Sequence, residues 1–192
     1  MEKMVREIKT KIAVSGGPSI GKSTLIKHLA PYLNYQIIPE MGDIVLSELG
    51  FNGYGSVPTD EQRRQIRIEM LNRKINLESS SEKFISDKSS VDYLAHWLIR
   101  ALSNAPQDET DFYFQTVKKN SGIYDLVIIP PLGKFKIEKL DRRSTNLHEQ
   151  YLIHTLIKGI YKEFGINWVD YSLNLNDSSE KVAKDLGIIK LK

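Results

Sequence analysis

The segment Gly16-Gly17-Pro18-Ser19-Ile20-Gly21-Lys22-Ser23-Thr24 satisfies the pattern G-x-x-x-x-G-K-[ST] at every required position. Its flanks constrain the fold. Lys11-Ile12-Ala13-Val14-Ser15 reads as a buried strand, and Leu25-Ile26-Lys27-His28-Leu29 opens a helix. Strand, glycine turn and helix in that order wrap backbone N–H groups and the positive end of a helix around an anion. In such a loop Lys22 reaches the β- and γ-phosphates of a nucleotide, and the Ser23 hydroxyl lies on Mg²⁺. The expected ligands are therefore ATP and Mg²⁺, with residues 16–24 as the cradle.

The rest of the chain repeats the alternation. Further strands are expected at Tyr35–Ile38, Lys83–Ser86, Asp125–Ile129 and Ile166–Tyr171, after a first strand at about Lys9–Ser15. Helices are expected between them: after the loop, at Asp43–Leu49, from a Thr59-Asp60-Glu61-Gln62 capping box to about Glu78, at Ser90–Asn104, from a capping Asp108 to Lys119, at Asn146–Phe164 and from Asp177 to Gly187. This order predicts an α/β class: a doubly wound, five-stranded parallel sheet in one domain over residues 1–192. Leu132 to Ser144 is basic and aperiodic, and is expected to form a lid at about 132–145.

Composition removes several classes. With 192 residues and no cysteine, disulfides and thiolate metal sites are excluded. No apolar run approaches membrane-spanning length and the N-terminus lacks a signal-peptide core, so a cytoplasmic protein is expected. The formal net charge of +3 permits anionic ligands but does not favour a nucleic-acid track.

In a parallel α/β sheet, ligands bind beyond the carboxyl ends of the strands. Three features fall there besides the loop. Asp87 ends the third strand, where a carboxylate can hold Mg²⁺ opposite Ser23, or cap the next helix. Glu40 ends the second strand, where it can take a proton from an acceptor hydroxyl, bind the acceptor without proton transfer, or stand solvated. Arg142 and Arg143 in the basic segment can close on the phosphates and stabilise transition-state charge, or remain a solvated loop.

These residues carry a resemblance. The arrangement resembles the small-molecule P-loop kinases of the nucleoside and nucleotide kinase superfamily. Pro39-Glu40 resembles the strand-end Glu of the deoxynucleoside kinases, and Ser86-Asp87-Lys88-Ser89 their [DE]-R-S motif, with Lys88 where the family usually has Arg. The run from Phe84 to Ala95 is similar to the D-R-x-x-x-D segment of AAA-labelled ATPases related to nicotinamide-riboside kinases. Leu140-Asp141-Arg142-Arg143, a long helix and a G-I-x-W strand are similar to the lid region of that group. The resemblance implies a P-loop NTPase fold with a lid, and transfer of a phosphoryl group from Mg-ATP to a small acceptor. Lys22, Glu40, Asp87, Arg142 and Arg143 would be its catalytic residues, with Ser23 and Asp87 at the metal. Homodimers are common in such kinases.

The acceptor stays open among a nucleoside, a nucleoside monophosphate and, less favoured, a nucleic acid. Arg63, Arg64 and Arg67 would hold an acceptor phosphate if they face the cleft; if they face solvent, a neutral hydroxyl is the better acceptor. Phe51, Tyr54 or Tyr93 could stack on a base, whereas Trp97 and His96 read as packing residues. A regulatory NTPase is the alternative, although no N-K-x-D or D-x-x-G motif and no strand ending in Asp-Glu supports it.

Overall fold

A computed structural model describes residues 10–134 and 146–188. Strand β1 (Lys11–Val14) has Ile12, Ala13 and Val14 fully buried, as a strand covered on both faces requires. It pairs in parallel with β3 (Phe84–Asp87) on one side and β4 (Leu126–Ile129) on the other. Outside these lie β2 (Gln36–Ile38) and β5 (Val169–Asp170), giving the order β2-β3-β1-β4-β5, all parallel. The expected five-stranded sheet is the observed one.

Helices α1 (Lys22–Leu33) and α7 (Ser179–Asp185) cover one face, where Leu25, Ile26, Leu29, Val182 and Leu186 meet Ile12, Val14, Ile85 and Ile128. The other face packs on α2 (Gly42–Glu48), α3 (Asp60–Ser79), α4 (Ser90–Arg100), α5 (Gln107–Ser121) and α6 (Leu147–Glu163) through Ala13, Val127 and Ile129. Successive strand residues therefore feed opposite cores, the period-2 geometry of a strand. No helix among the described residues is long and apolar enough to cross a membrane.

Local signals explain most boundaries. Thr59 caps α3, accepting from the Gln62 N–H at 3.1 Å. Asn146 caps α6 through its side chain, and Gly165 follows that helix at φ +68°. Three expectations shift. Helix α4 stops at Arg100 and a 3₁₀ turn spans Leu102–Asn104, so Leu102 is 49% exposed instead of extending the apolar face. Asp108 lies in the first turn of α5, favourable to the helix dipole, but the cap is Pro106. Strand β5 contracts to two residues, Val169 and Asp170, the only ones that pair with β4 among the described residues. Of the expected lid, only Leu132, Gly133 and Lys134 are among the described residues; Arg142 and Arg143 lie outside them.

Candidate active site

The turn between β1 and α1 depends on its glycines. Gly16 has φ +112° and Gly21 φ +91°, and Ser19 also enters the left-handed region at +57°. A Cβ on Gly16 would lie 2.7 Å from Ile20 Cδ1. One on Gly17 would lie 3.1 Å from the Gln150 carbonyl oxygen and from His154 Cβ. Helix α6 thus packs directly on the loop. The Gly17 N–H donates to His154 Nδ1 at 3.3 Å. Burial, with Lys158 and Lys22 nearby, pushes the His154 pKa down to about 4, so the ring is neutral at pH 7 and free to accept.

Lys22 opens α1 and is buried within the turn. Its Nζ donates to the carbonyls of Gly16 at 2.8 Å and Gly17 at 2.6 Å. Burial lowers its pKa, against the pull of Asp92. This is a desolvated cation held by neutral carbonyls at the N-terminus of α1, a place that favours an anion.

Asp92, assigned no role from the sequence alone, braces that turn. It is 1% exposed. Its Oδ1 accepts from the Gly16 N–H at 2.9 Å; its Oδ2 accepts from Ser15 Oγ at 2.5 Å, Ser89 N–H at 2.9 Å and Ser89 Oγ at 2.8 Å. Tyr161 donates to Ser89 Oγ at 2.6 Å, linking α6 to the same network. The available signals were the D-R-x-x-x-D likeness, whose last position Asp92 holds, and the capping box formed by Ser89 and Asp92 at the start of α4.

Ser23 Oγ donates to Asp87 Oδ2 at 2.9 Å across the mouth of the loop. The strand-end carboxylate and the loop hydroxyl therefore meet directly. Among the described residues no group of three or more His, Asp or Glu side chains could enclose a metal by itself. Mg²⁺ suits this poverty, since it prefers one or two protein oxygens with phosphate and water completing its octahedron.

On the β2 side, Glu40 forms an ion pair with Lys88. Lys88 adopts φ +66°, unusual for a residue with a Cβ, and this turns its side chain to Glu40 at the start of α4. Burial raises the Glu40 pKa, but the charge and hydrogen bond of Lys88, with Lys22 and His96 behind it, overcome this and bring it to about 2. Burial opposes the Lys88 charge in turn, and Glu40 more than restores it. His96 points to the same region; burial, then Lys88 and Arg67, lower its pKa to about 3.

The three arginines of α3 divide. Arg63 pairs with Asp60 and donates to the Val57 carbonyl, and Arg64 pairs with Glu109 of α5 at 2.8 Å. Arg67 lies with Cζ 4.2 Å from the Tyr54 ring centroid and has no carboxylate partner among the described residues. Tyr54 and Phe51 pack at the edge of the core, with Tyr54 OH on Met70 Sδ. Tyr93 is not an open stacking platform: it is buried, and its hydroxyl accepts from the Met41 N–H at 2.9 Å. Trp97 is core, stacked on Tyr113 at 4.4 Å.

Lys74 is a second residue the sequence did not single out. Its signal was a lysine on the buried stripe Ile66, Met70, Leu71, Lys74 and Glu78 of α3.

The family model for an AAA domain matches residues 11–177. Among solved structures, the chain is similar to NadR protein in complex with NR, at 15% identity and TM-score 0.68 over 97% of this chain and 54% of that one. It is similar to deoxyadenosine kinase from M. mycoides at 17% identity and TM-score 0.58, over 91% of this chain and 94% of that one. It is also similar to thymidylate kinase from Candida albicans at 17% identity and TM-score 0.57, over 93% and 89%. The chain spans about half the length of the NadR protein. At these identities the likeness is one of fold, and the fold is that of the P-loop kinases. No curated protein matches the sequence.

Proposed function

We propose that this chain, which belongs to the AAA domain family, is a P-loop kinase that transfers the γ-phosphoryl group of ATP to a hydroxyl of a nucleoside-class acceptor. The observation that carries the reading is the pairing of two sites at one sheet edge. One is the cationic cradle with Lys22 and the Ser23–Asp87 pair; the other is a carboxylate, Glu40, held ionised beside it at the end of β2.

Each residue has a task in this reading. The loop amides and Lys22 bind the donor phosphates, Lys22 exchanging the Gly16 and Gly17 carbonyls for phosphate oxygen. Ser23 and Asp87 would hold Mg²⁺, which screens phosphate charge when bound. Glu40 accepts a hydrogen bond from the attacking hydroxyl and orients it in line. Phosphoryl transfer is largely a matter of positioning and electrostatics, with little charge on the nucleophile until late. A weakly basic carboxylate in the right place therefore serves. Arg142 and Arg143 are proposed to add positive charge over the phosphates.

The acceptor reading follows from the arginines. With Arg63 and Arg64 engaged by Asp60 and Glu109, Arg67 is the one α3 arginine without a carboxylate among the described residues, too little to neutralise a doubly charged phosphate. A nucleoside is therefore expected to exceed its 5′-monophosphate in kcat/KM by at least about tenfold. The reverse preference, measured by initial rates on the pair, would contradict the neutral-acceptor assignment.

The metal side has its own test. Asp87→Asn keeps a hydrogen bond with Ser23 but loses the charge, and should raise the Mg²⁺ concentration for half-maximal turnover by about tenfold. A Mg²⁺ titration unchanged from the parent protein would return Asp87 to a helix-start role.

A further inference from the structure

The β2–β3 ladder pairs Gln36 with Phe84, Ile37 with Ile85 and Ile38 with Ser86, and no further. Pro39 directly follows β2 and has no N–H with which to continue. Past this fork one chain leads to Glu40 and the other to Asp87 and Lys88. The carbonyls at the fork, buried at Ile38 and partly so at Pro39 and Asp87, are left without ladder donors and need others.

Lys74 of α3 supplies them. Its Nζ donates to the carbonyl oxygens of Ile38 at 3.2 Å, Pro39 at 3.1 Å and Asp87 at 2.9 Å. An ammonium has three N–H donors and no acceptor, so its capacity is used in full. The residue is 0% exposed, and no carboxylate among the described residues forms a direct ion pair with it. Burying a cation this way is costly, and a methionine would fill similar space without that cost. The post that carries it is fixed. One turn along α3, Glu78 accepts from Ser86 Oγ at 2.6 Å, Asn120 Nδ2 at 2.9 Å and Tyr124 OH at 3.0 Å, tying the helix to β3 and to the end of α5.

We propose that Lys74 is a positioning residue: by bridging the last carbonyls of β2 and β3 it fixes the separation and aim of Glu40 and Asp87. The proposal rests on the phosphotransfer reading of the site. Lys74 touches neither donor nor acceptor. It acts through the backbone one residue before Glu40 and at Asp87 itself.

The test is Lys74→Met. The phosphate loop does not touch Lys74, so Mg²⁺-free ADP should bind within about threefold of the parent affinity. Misplacement of the two carboxylates should lower kcat about 100-fold at saturating ATP and Mg²⁺. Because the chain has no cysteine, Lys74→Cys can be alkylated uniquely in denaturant and refolded. Capping with bromoethylamine rebuilds an ammonium on a thioether stem and should recover at least about a tenth of the parent kcat. Capping with iodoacetamide, which leaves a neutral amide, should not.

A residue that merely fills the core predicts otherwise: Lys74→Met keeps its kcat, or the neutral cap recovers as much as the ammonium. Either result overturns the proposal. If Lys74→Met does not fold, the two capped proteins decide. The gain in ADP affinity on adding Mg²⁺ is read on the same proteins with no acceptor present. If the parent protein transfers phosphate to nothing, the kinase reading fails. Loss of that gain in Lys74→Met then still supports the positioning of Asp87, and an undiminished gain overturns it.

Discussion

Lys22→Ala is expected to lower turnover about 1,000-fold and to weaken nucleotide binding. The magnitude follows from where the ammonium lies. It is buried, its charge disfavoured by desolvation, and it is held by the Gly16 and Gly17 carbonyls at the N-terminus of α1. An arriving phosphate supplies the counter-charge those carbonyls lack, and the gain grows as negative charge shifts toward the departing β-phosphate oxygen. The fold should survive, because the loop is braced from outside by Asp92 and packed against α6. Steady-state rates with a thermal melt as control check this. Turnover within about tenfold of the parent protein would mean that the cradle does not hold the reacting phosphates.

The second large effect is at Glu40. Glu40→Gln should leave ATP binding intact and cut transfer about 100-fold. The Lys88 pair makes a pH argument available. With its pKa at about 2, Glu40 is ionised throughout the usual working range and contributes no acid limb to the kcat/KM profile near neutrality. Lys88→Met removes the largest force lowering that pKa and leaves burial, which raises it. An acid limb should then move up into the ordinary carboxylate range or above it, activity falling as pH drops through it. Transfer at the parent rate by Glu40→Gln would remove Glu40 from the chemistry. An unmoved acid limb in Lys88→Met would show that Lys88 does not set its charge.

The parts of this site that were legible in the sequence are those where local chain geometry and chemistry coincide. Residues 16–24 are such a case, since the glycines that make the turn are the ones that admit the ligand. Asp87 and Glu40 were legible because a strand end in a parallel sheet is itself a location. Asp92 and Lys74 were not, because their roles exist only in three dimensions. Asp92 reads locally as a helix-start acid, and only folding brings Ser15 and Gly16 to it across more than seventy residues. Lys74 reads as one more charge on a polar helix until the fork between β2 and β3 closes on it. The α3 arginines show the same limit. Arg64 is taken from the cleft by Glu109, 45 residues away, a pairing no helix periodicity contains. Strand β5 came out shorter than expected because its length is set by how far β4 reaches beside it, which the sequence of β5 does not contain.

The most direct measurement is ATP-to-ADP conversion with Mg²⁺ across nucleosides, nucleoside monophosphates, nicotinamide riboside and hydroxymethylated DNA, alongside a reaction with no acceptor. Strong stimulation by a nucleoside, with phosphate recovered on that acceptor, is the predicted result. Steady hydrolysis that no acceptor changes would contradict it, and would leave a nucleotide-binding switch in place of a kinase.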